Sequence, residues 1–372
     1  MLKIVTLFIL VVFIGSFLIQ MSIWCLVLSR AAFFKVEDEE PNNVVLKPVS
    51  ILICSRNEAE NLQKFLPQIL NQNYPDFEVI VVDDASDDKT GQVLENFKTV
   101  FSHLRVISIE KKIKTGKKYA LSTAIKAAKN EILLLTDADC VPATENWIRG
   151  MVSKTSNQKK IVLGVSPYRP TNNSWLHTFI RHETTFTALQ YIGFALAGMP
   201  YMGVGRNVLY HKSLFEKVGG FSNHEHIMAG DDDLFLNEVL TKNNFSISLH
   251  PSTFTHSLPK NTWQTYLKQK TRHVSVSPNY KLIHQFWLGI FGFSHLFFYF
   301  ATFFCFTFKI STIFVLSIFV TRQVVLFLIF KQFAKKLEEK NLEATFFVFD
   351  AFLVLFNSLM VLLTFRRFNN WK

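Results

Sequence analysis

Leu133-Leu134-Leu135-Thr136-Asp137-Ala138-Asp139 is the stretch on which the fold turns. A short apolar run feeds directly into two carboxylates one residue apart. Runs of this length, bounded by polar residues, read as buried strands. On an extended backbone, side chains two apart point the same way, so Asp137 and Asp139 are expected to converge beyond the strand end. Converging carboxylates repel unless a cation lies between them. Hard divalent ions take oxygen ligands and are completed by substrate phosphates. Asp-Ala-Asp alone reads better as a plain turn; the strand before it and Cys140-Val141-Pro142 after it favour a metal.

The same pattern recurs on the N-terminal side. Residues 49–54 form an apolar run before a helical stretch at 58–70. Residues 78–82 read as a second strand, running into Asp83-Asp84-Ala85-Ser86-Asp87-Asp88 and a helix from about 89 to 97. Residues 104–109 read as a third strand and 131–135 as a fourth. Between them, Ala120, Leu121, Ala124, Ile125 and Ala128 recur at helical spacing over 117–128. Strands alternating with helices predict an α/β domain whose parallel sheet is covered on both faces. Ligands of such sheets bind beyond the carboxyl ends of the strands. Asp83 or Asp84 suits hydrogen bonds from a base or a ribose hydroxyl. Ser86 to Asp88 suit capping of the following helix, with Asp87 the expected cap.

The second half is more mixed. Residues 161–165 and 246–249 read as strands, and 176–196 and 261–273 as helices. Asp231-Asp232-Asp233 precede a helix starting near Leu234. They read either as caps or as site carboxylates, and three like charges favour a raised pKa in at least one.

Around this middle segment the composition changes. The chain has 372 residues, 49% of them hydrophobic, with 39 Phe. Four apolar stretches hold much of that excess: 4–28, 286–308, 310–330 and 344–365. Roughly 20 apolar residues in a helix cross a bilayer core. A cleaved signal peptide would have an apolar run of about 7–15 residues and small residues after it; here Trp24, Cys25 and Leu26 follow, which favours a retained anchor. Arg322 and Asp350 fall inside the third and fourth stretches, and charges inside spans usually face protein or water. For 344–365 an interfacial amphipathic helix is the alternative.

A net charge of +11 is compatible with nucleic-acid binding. Arg30, Lys35, Lys331, Lys335, Lys336 and Lys340 flank the apolar stretches, however, so a membrane reading is preferred and no nucleic-acid partner is expected. Positive flanks mark the cytoplasmic side. This puts the middle segment and the 331–340 loop inside, and it conflicts with Arg366 and Arg367 if 344–365 spans. The acidic residues 37–40 before Pro41 read as a solvated linker, and Lys111, Lys112 and Lys114 as a basic loop. Cys25, Cys54, Cys140 and Cys305 have no metal-knuckle or disulfide-framework spacing. His182, His211, His224, His226, His250 and His256 show no repeating zinc spacing.

Taken in order, the motifs resemble family-2 glycosyltransferases of the GT-A fold, from about Val49 to His273. They are Ser50-Ile51-Leu52-Ile53-Cys54-Ser55-Arg56-Asn57-Glu58, Val82 to Asp88, Gly116-Lys117-Lys118-Tyr119-Ala120-Leu121 and Asp137-Ala138-Asp139. Then come Gly203-Val204-Gly205-Arg206-Asn207, Gly219-Gly220-Phe221, Gly230-Asp231-Asp232-Asp233-Leu234 and Gln269-Lys270-Thr271-Arg272-His273.

The resemblance implies a set of roles. Cys54, Arg56, Asn57 and Glu58, with an Asp of the Asp83–Asp84 pair and Asp84 the preferred one, would bind the donor nucleoside. Lys117 would lie near the diphosphate. Asp137 and Asp139 would hold Mg²⁺ or Mn²⁺ against it. Asp231 would be the catalytic base. Asn207, Asp232, Asp233, Gln269, Arg272 and His273 would meet the acceptor or the diphosphate. Gly230 stands where the family commonly has Glu, and His273 where it has Trp, which speaks against processive polymer synthesis.

The expected organisation is a transmembrane anchor at 1–30, a linker at 31–47, a GT-A domain at 48–280 and a membrane region of two to three spans at 281–372. The expected protein is a multi-pass inner-membrane enzyme with its catalytic domain in the cytoplasm. It would take a nucleotide-diphosphate sugar, UDP-linked by family likeness, and a lipid or glycan acceptor. A membrane nucleotidyl- or phospho-transferase would also want paired Asp and a metal. A nucleotide-binding subunit of polysaccharide export would survive loss of Asp231.

Overall fold

The computed structural model describes residues 2–36, 46–111, 116–170 and 174–364. The acidic linker at 37–41, Lys112, Lys114, Arg366 and Arg367 lie outside the described residues. The described chain divides into two units. A sheet unit takes residues within 35–177 and 200–266. A helical unit takes residues within 2–34, 178–199 and 267–364.

Nine strands form in the sheet unit: β1 (Val49–Ser55), β2 (Phe77–Asp84), β3 (Leu104–Ile109), β4 (Ile132–Leu135), β5 (Cys140–Pro142), β6 (Ile161–Leu163), β7 (Val208–His211), β8 (Phe245–Ile247) and β9 (Thr255–Ser257). Seven of them make one sheet in the order β3-β2-β1-β4-β7-β6-β8, and β5 pairs with β9 separately. β1 to β4 pair in parallel. Parallel strands are buried on both faces, which is why they read as unbroken Val, Ile and Leu runs. The helix Ala59–Leu70 lays Leu62, Leu66, Ile69 and Leu70 on the core formed by Ile51, Ile53, Val79 and Val81.

The sheet departs from the all-parallel expectation at β7, which runs antiparallel to both β4 and β6. Val208 pairs with Leu135, so the chain enters β7 from the edge at which β4 ends. Residues 203–207 are thereby carried to the carboxyl edge of the sheet. Strand order also reverses between β1, flanked by β2, and β4. Crevices at such a switch point are where sheets of this kind bind ligands.

In the helical unit four helices are long and apolar enough to cross a membrane by length and composition: Leu2–Ala32, Leu282–Thr307, Thr312–Lys336 and Glu343–Leu363. Lys309 takes a left-handed backbone (φ 53°) in the short turn between the second and third. Arg322 and Asp350, which look isolated in the sequence, meet here at 2.6 Å with 0% and 3% of their surface exposed. The same Asp350 carboxylate accepts from Tyr299 Oη (2.6 Å) and Gln323 Nε2 (3.2 Å), and His295 Nε2 lies 3.2 Å from its other oxygen. Arg322 also donates to Gln20 Oε1 at 3.1 Å, and Gln20 donates to Ser294 Oγ at 2.7 Å. Every one of the four helices contributes to this buried cluster. The last helix thus carries an acid neutralised within the bundle, whereas an interfacial helix would turn its polar groups to water.

Candidate active site

The site is built on the carboxyl edge of β1, β2 and β4. Thr136 N donates to Leu52 O at 3.3 Å, which seats the end of β4 beside β1. Asp137 and Asp139 then converge, though not by strand alternation. Cys140 N donates to Asp137 O at 3.1 Å and closes a turn over Ala138, after which β5 begins. Ligand atoms of Asp137, Asp139 and Cys140 lie within 4.8 Å of one another. Burial and the Asp137 carboxylate push Asp139 above the usual range, with Arg206 and Lys260 pulling the other way. Two half-buried carboxylates and a thiol so close together suit a divalent cation.

Lys117 links this pair to Asp231. Its Nζ is hydrogen-bonded to Asp137 Oδ1 and lies 3.6 Å from Asp231 Oδ2. Burial alone would lower the lysine's pKa; Asp137 and Asp231 outweigh it and raise it. Asp231 therefore faces the same cleft as the Asp137–Asp139 turn. Beneath them, burial pushes the Cys54 thiol up to about 12, with Lys117 opposing and Asp231, Asp137 and Asp84 adding. Cys54 is a neutral lining group.

The loops after β1 and β2 are tied together. Asn57 N donates to Ser86 Oγ (2.9 Å), Asp87 N to Asn57 Oδ1 (2.8 Å), Glu58 N to Thr90 Oγ1 (2.9 Å) and Ala59 N to Asp88 Oδ2 (3.2 Å). Asp83 Oδ1 accepts from Ser86 Oγ at 2.5 Å and is used within its own turn. Asp84 is 2% exposed at the strand end. Asp87 is not the cap of the next helix: Lys89 holds the N-cap position without a side-chain cap bond, and the first helical amide, Thr90 N, donates to Asp88 Oδ1 at 2.9 Å. Glu58 Oε2 accepts from Asn61 Nδ2 at 2.6 Å. Arg56 Nε is buried with no hydrogen-bond partner among the described residues.

Asn207 is not a substrate contact. It is 0% exposed; its Nδ2 donates to Val165 O (2.7 Å) and Thr253 O (2.8 Å), and its Oδ1 accepts from Trp147 Nε1 (3.0 Å). Its side chain is fully used in holding β7 to its surroundings. Asp232 is half-buried and already bonded, accepting from Gly205 N (2.7 Å) and Asp233 N (2.8 Å), and burial with Asp231 beside it raises its pKa. Asp233 Oδ1 accepts from Leu234 N at 2.9 Å at the start of the helix Asp233–Val239. Gly230, where the family has Glu, has φ 85°, a left-handed backbone that favours glycine. Gln269, Arg272 and His273 lie on the helix Trp263–Val274, among residues that group with the helical unit.

Three groups escaped the motif reading. Arg206 stacks over Tyr168 (4.7 Å), and its Nη1 is buried without a partner among the described residues. Asp139 and Asp137 contribute to raising its pKa. Tyr210 on β7 has a buried hydroxyl without a partner among the described residues, and burial followed by Asp231 pushes its pKa up. Lys118 is buried beside the half-buried Lys117. Arg206 was quoted within a motif, yet only the antiparallel β7 brings it to this edge.

A mixed sheet with a carboxylate turn at its switch point is the architecture of a GT-A sugar transferase. The profile of the family described as "Glycosyl transferase family 2" matches residues 50–219. A probable glycosyltransferase, YdaM of Bacillus subtilis (strain 168), is 27% identical over 293 residues, covering 74% of this chain and 67% of that protein. Glycosyltransferase AglE of Haloferax volcanii is 29% identical over 188 residues, 50% of this chain and 58% of its own. The fold matches a mannosyltransferase, PcManGT from Pyrobaculum calidifontis, solved in complex with GDP-Man and Mn²⁺. The TM-score is 0.60 at 18% identity, over 96% of this chain and 99% of that one. A family 2 glycosyltransferase profile over residues 50–219, relatives that are glycosyltransferases and the GT-A-like fold make this chain an enzyme of the glycosyltransferase class.

Proposed function

We propose that this protein is an inverting, metal-assisted glycosyltransferase. It moves a sugar from a nucleotide-diphosphate donor, UDP-linked by family likeness, to a lipid-linked or membrane-proximal acceptor. The single observation that carries the reading is Lys117, which touches Asp137 and stands 3.6 Å from Asp231. A diphosphate-side carboxylate and a base-side carboxylate share one cleft.

Asp137 and Asp139 would hold Mg²⁺ or Mn²⁺, which neutralises charge on the departing diphosphate as a Lewis acid. Lys117 supplies fixed positive charge at the same place. Asp84, at the end of β2 beside the Cys54–Arg56 end of β1, would meet the nucleoside. Asp231 takes the proton from the acceptor hydroxyl as general base. One direct displacement inverts the anomeric centre. A nucleotidyl- or phospho-transferase would not require a carboxylate opposite the metal pair. The four apolar helices support a membrane enzyme whose acceptor is a lipid or a membrane-proximal glycan. The basic flanks Arg30, Lys331, Lys335, Lys336 and Lys340 favour a cytoplasmic catalytic domain in the inner membrane.

The test is a donor panel of UDP-glucose, UDP-N-acetylglucosamine and GDP-mannose, given to purified membranes with Mn²⁺, with and without lipid extract. Lipid-dependent nucleotide release from one donor is expected. Release from none of them, or release indifferent to lipid, rejects the corresponding half of the reading. In the same assay Asp139→Asn is expected to raise the Mn²⁺ concentration needed for half-maximal release by about tenfold or more. An unchanged metal titration removes Asp139 from the metal site.

A further inference from the structure

We propose that Lys118 is a positioning residue for this reaction: its ammonium ties down the 221–230 segment and so sets where Asp231 stands. The inference rests on the reading of Asp231 given above.

Lys118 is 6% exposed. Its Nζ donates to two backbone carbonyls of that segment, His224 O at 2.6 Å and Ile227 O at 2.8 Å. A buried ammonium is costly unless hydrogen-bonded, so these bonds are its reason for being inside. Burial lowers its pKa to about 8, and Asp231, Asp233 and Glu225 act to keep it charged.

The segment is otherwise irregular. It opens with the short turn Ser222–His224, and Ile227 N donates to His224 O at 3.1 Å. Phe221 anchors the near end, its ring 4.9 Å from Phe215 and 6.3 Å from Phe235. At the far end stand left-handed Gly230 and Asp232, whose carboxylate is fixed by Gly205 N. Between these anchors the chain passes closely over Gly116 (φ 94°), where a Cβ would lie 2.6 Å from Met228 O. Two consecutive lysines at one helix start thus reach the same segment. Lys117 meets the carboxylate of Asp231, and Lys118 meets the carbonyls four and seven residues before it. Displacement of about 1 Å at a reacting group can cost two orders of magnitude in rate, so this second contact has catalytic consequence without touching substrate.

The experiment compares full-length wild type, Lys118→Met and Lys118→Arg in detergent. In Lys118→Met, amide exchange of peptides covering 221–231 is expected to quicken about tenfold. UDP binding with Mn²⁺ should stay within about twofold, and kcat should fall about tenfold or more at unchanged donor KM. Lys118→Arg, which keeps the donors, should restore both exchange and kcat. Unchanged exchange in Lys118→Met, a parallel loss of UDP affinity, or failure of Lys118→Arg to rescue overturns the proposal. A wild-type chain that releases no nucleotide from any donor defeats the reading of Asp231 instead. The exchange comparison is independent of turnover and still decides whether Lys118 holds the segment.

Discussion

Buried charge is handled in two ways in this protein. In the helical unit, Arg322 and Asp350 form a neutral pair, with Tyr299 and Gln323 donating to the carboxylate, His295 Nε2 3.2 Å from it and Gln20 on the arginine. In the sheet unit, Asp137, Asp139, Asp231, Asp232 and Asp233 crowd round Lys117, Lys118 and Arg206, and the signs do not balance. Asp139 and Asp232 are both pushed above the usual carboxylate range by burial and by a neighbouring carboxylate. A closed ion pair holds helices together, whereas an unbalanced cluster at a strand edge is arranged for something that arrives with charge of its own. The contrast separates architecture from chemistry within one chain.

The largest expected effect would break the contrast on the catalytic side. Asp231→Asn should retain UDP binding with Mn²⁺ while nucleotide release falls by about 10²–10⁴, the usual worth of a general base. Turnover near wild type would return Asp231 to a structural role. On the other side, Arg322→Leu leaves Asp350 buried and unpaired. Breaking a buried pair costs about 3–5 kcal/mol, so the detergent-solubilised protein should melt earlier and express poorly. Arg322→Leu with Asp350→Leu should recover most of that loss. A double variant no better than the single one would show that the pair does not act as a unit.

Smaller effects sharpen the boundary between the two kinds of charge and polar group. Asn207→Ala removes three internal hydrogen bonds and leaves Trp147 Nε1 and two carbonyls unmet, at about 1–3 kcal/mol for each buried group left unsatisfied. Thermal stability should fall while the Mn²⁺ requirement stays unchanged; a shifted metal titration with intact stability would restore Asn207 to the site. The smallest effect concerns Glu78, which accepts from Arg105 (2.8 Å), Ser50 (2.7 Å) and Lys129 N (2.7 Å). Burial would raise its pKa, but these bonds outweigh it and hold it below 4.5. A depressed carboxylate stabilises the fold above its unfolded pKa and loses that contribution as pH falls through the folded value. Melting curves below pH 4.5 should therefore be less pH-dependent in Glu78→Gln than in wild type, and an identical acid profile would dismiss this contribution.

Much of the site was legible because its residues sit at strand ends, where an apolar run stops and carboxylates begin. Asp83, Asp84, Asp137 and Asp139 were found that way, as was the placement of Lys117 at a helix start. What was misread turns on which atoms a polar side chain finds. Asp87 and Asp88 are equal as letters; only the folded turn shows that Asp88 meets the first helical amide and that Lys89 holds the cap position. Asn207 looks like a ligand contact by its motif and is a buried strut. The turn at Ala138 brings the two aspartates together by a backbone bond where alternation had been the expected cause. β7 is four residues long and carries no periodic signal of its own.

The amino-acid order by itself determined the alternating α/β unit, the family resemblance, the four apolar helices and the carboxylates at the strand ends. Hydrophobic period and strand-end chemistry are local, so a linear reading reaches them. Tertiary structure alone decided that Asp231 shares Lys117 with Asp137, that Arg322 and Asp350 neutralise each other, and that Arg206 arrives at the sheet edge just before the antiparallel β7. The ion pairs among these join residues 20 to 114 positions apart in the chain (Lys117–Asp137 and Lys117–Asp231), and a contact between distant positions exists only once the intervening chain has packed.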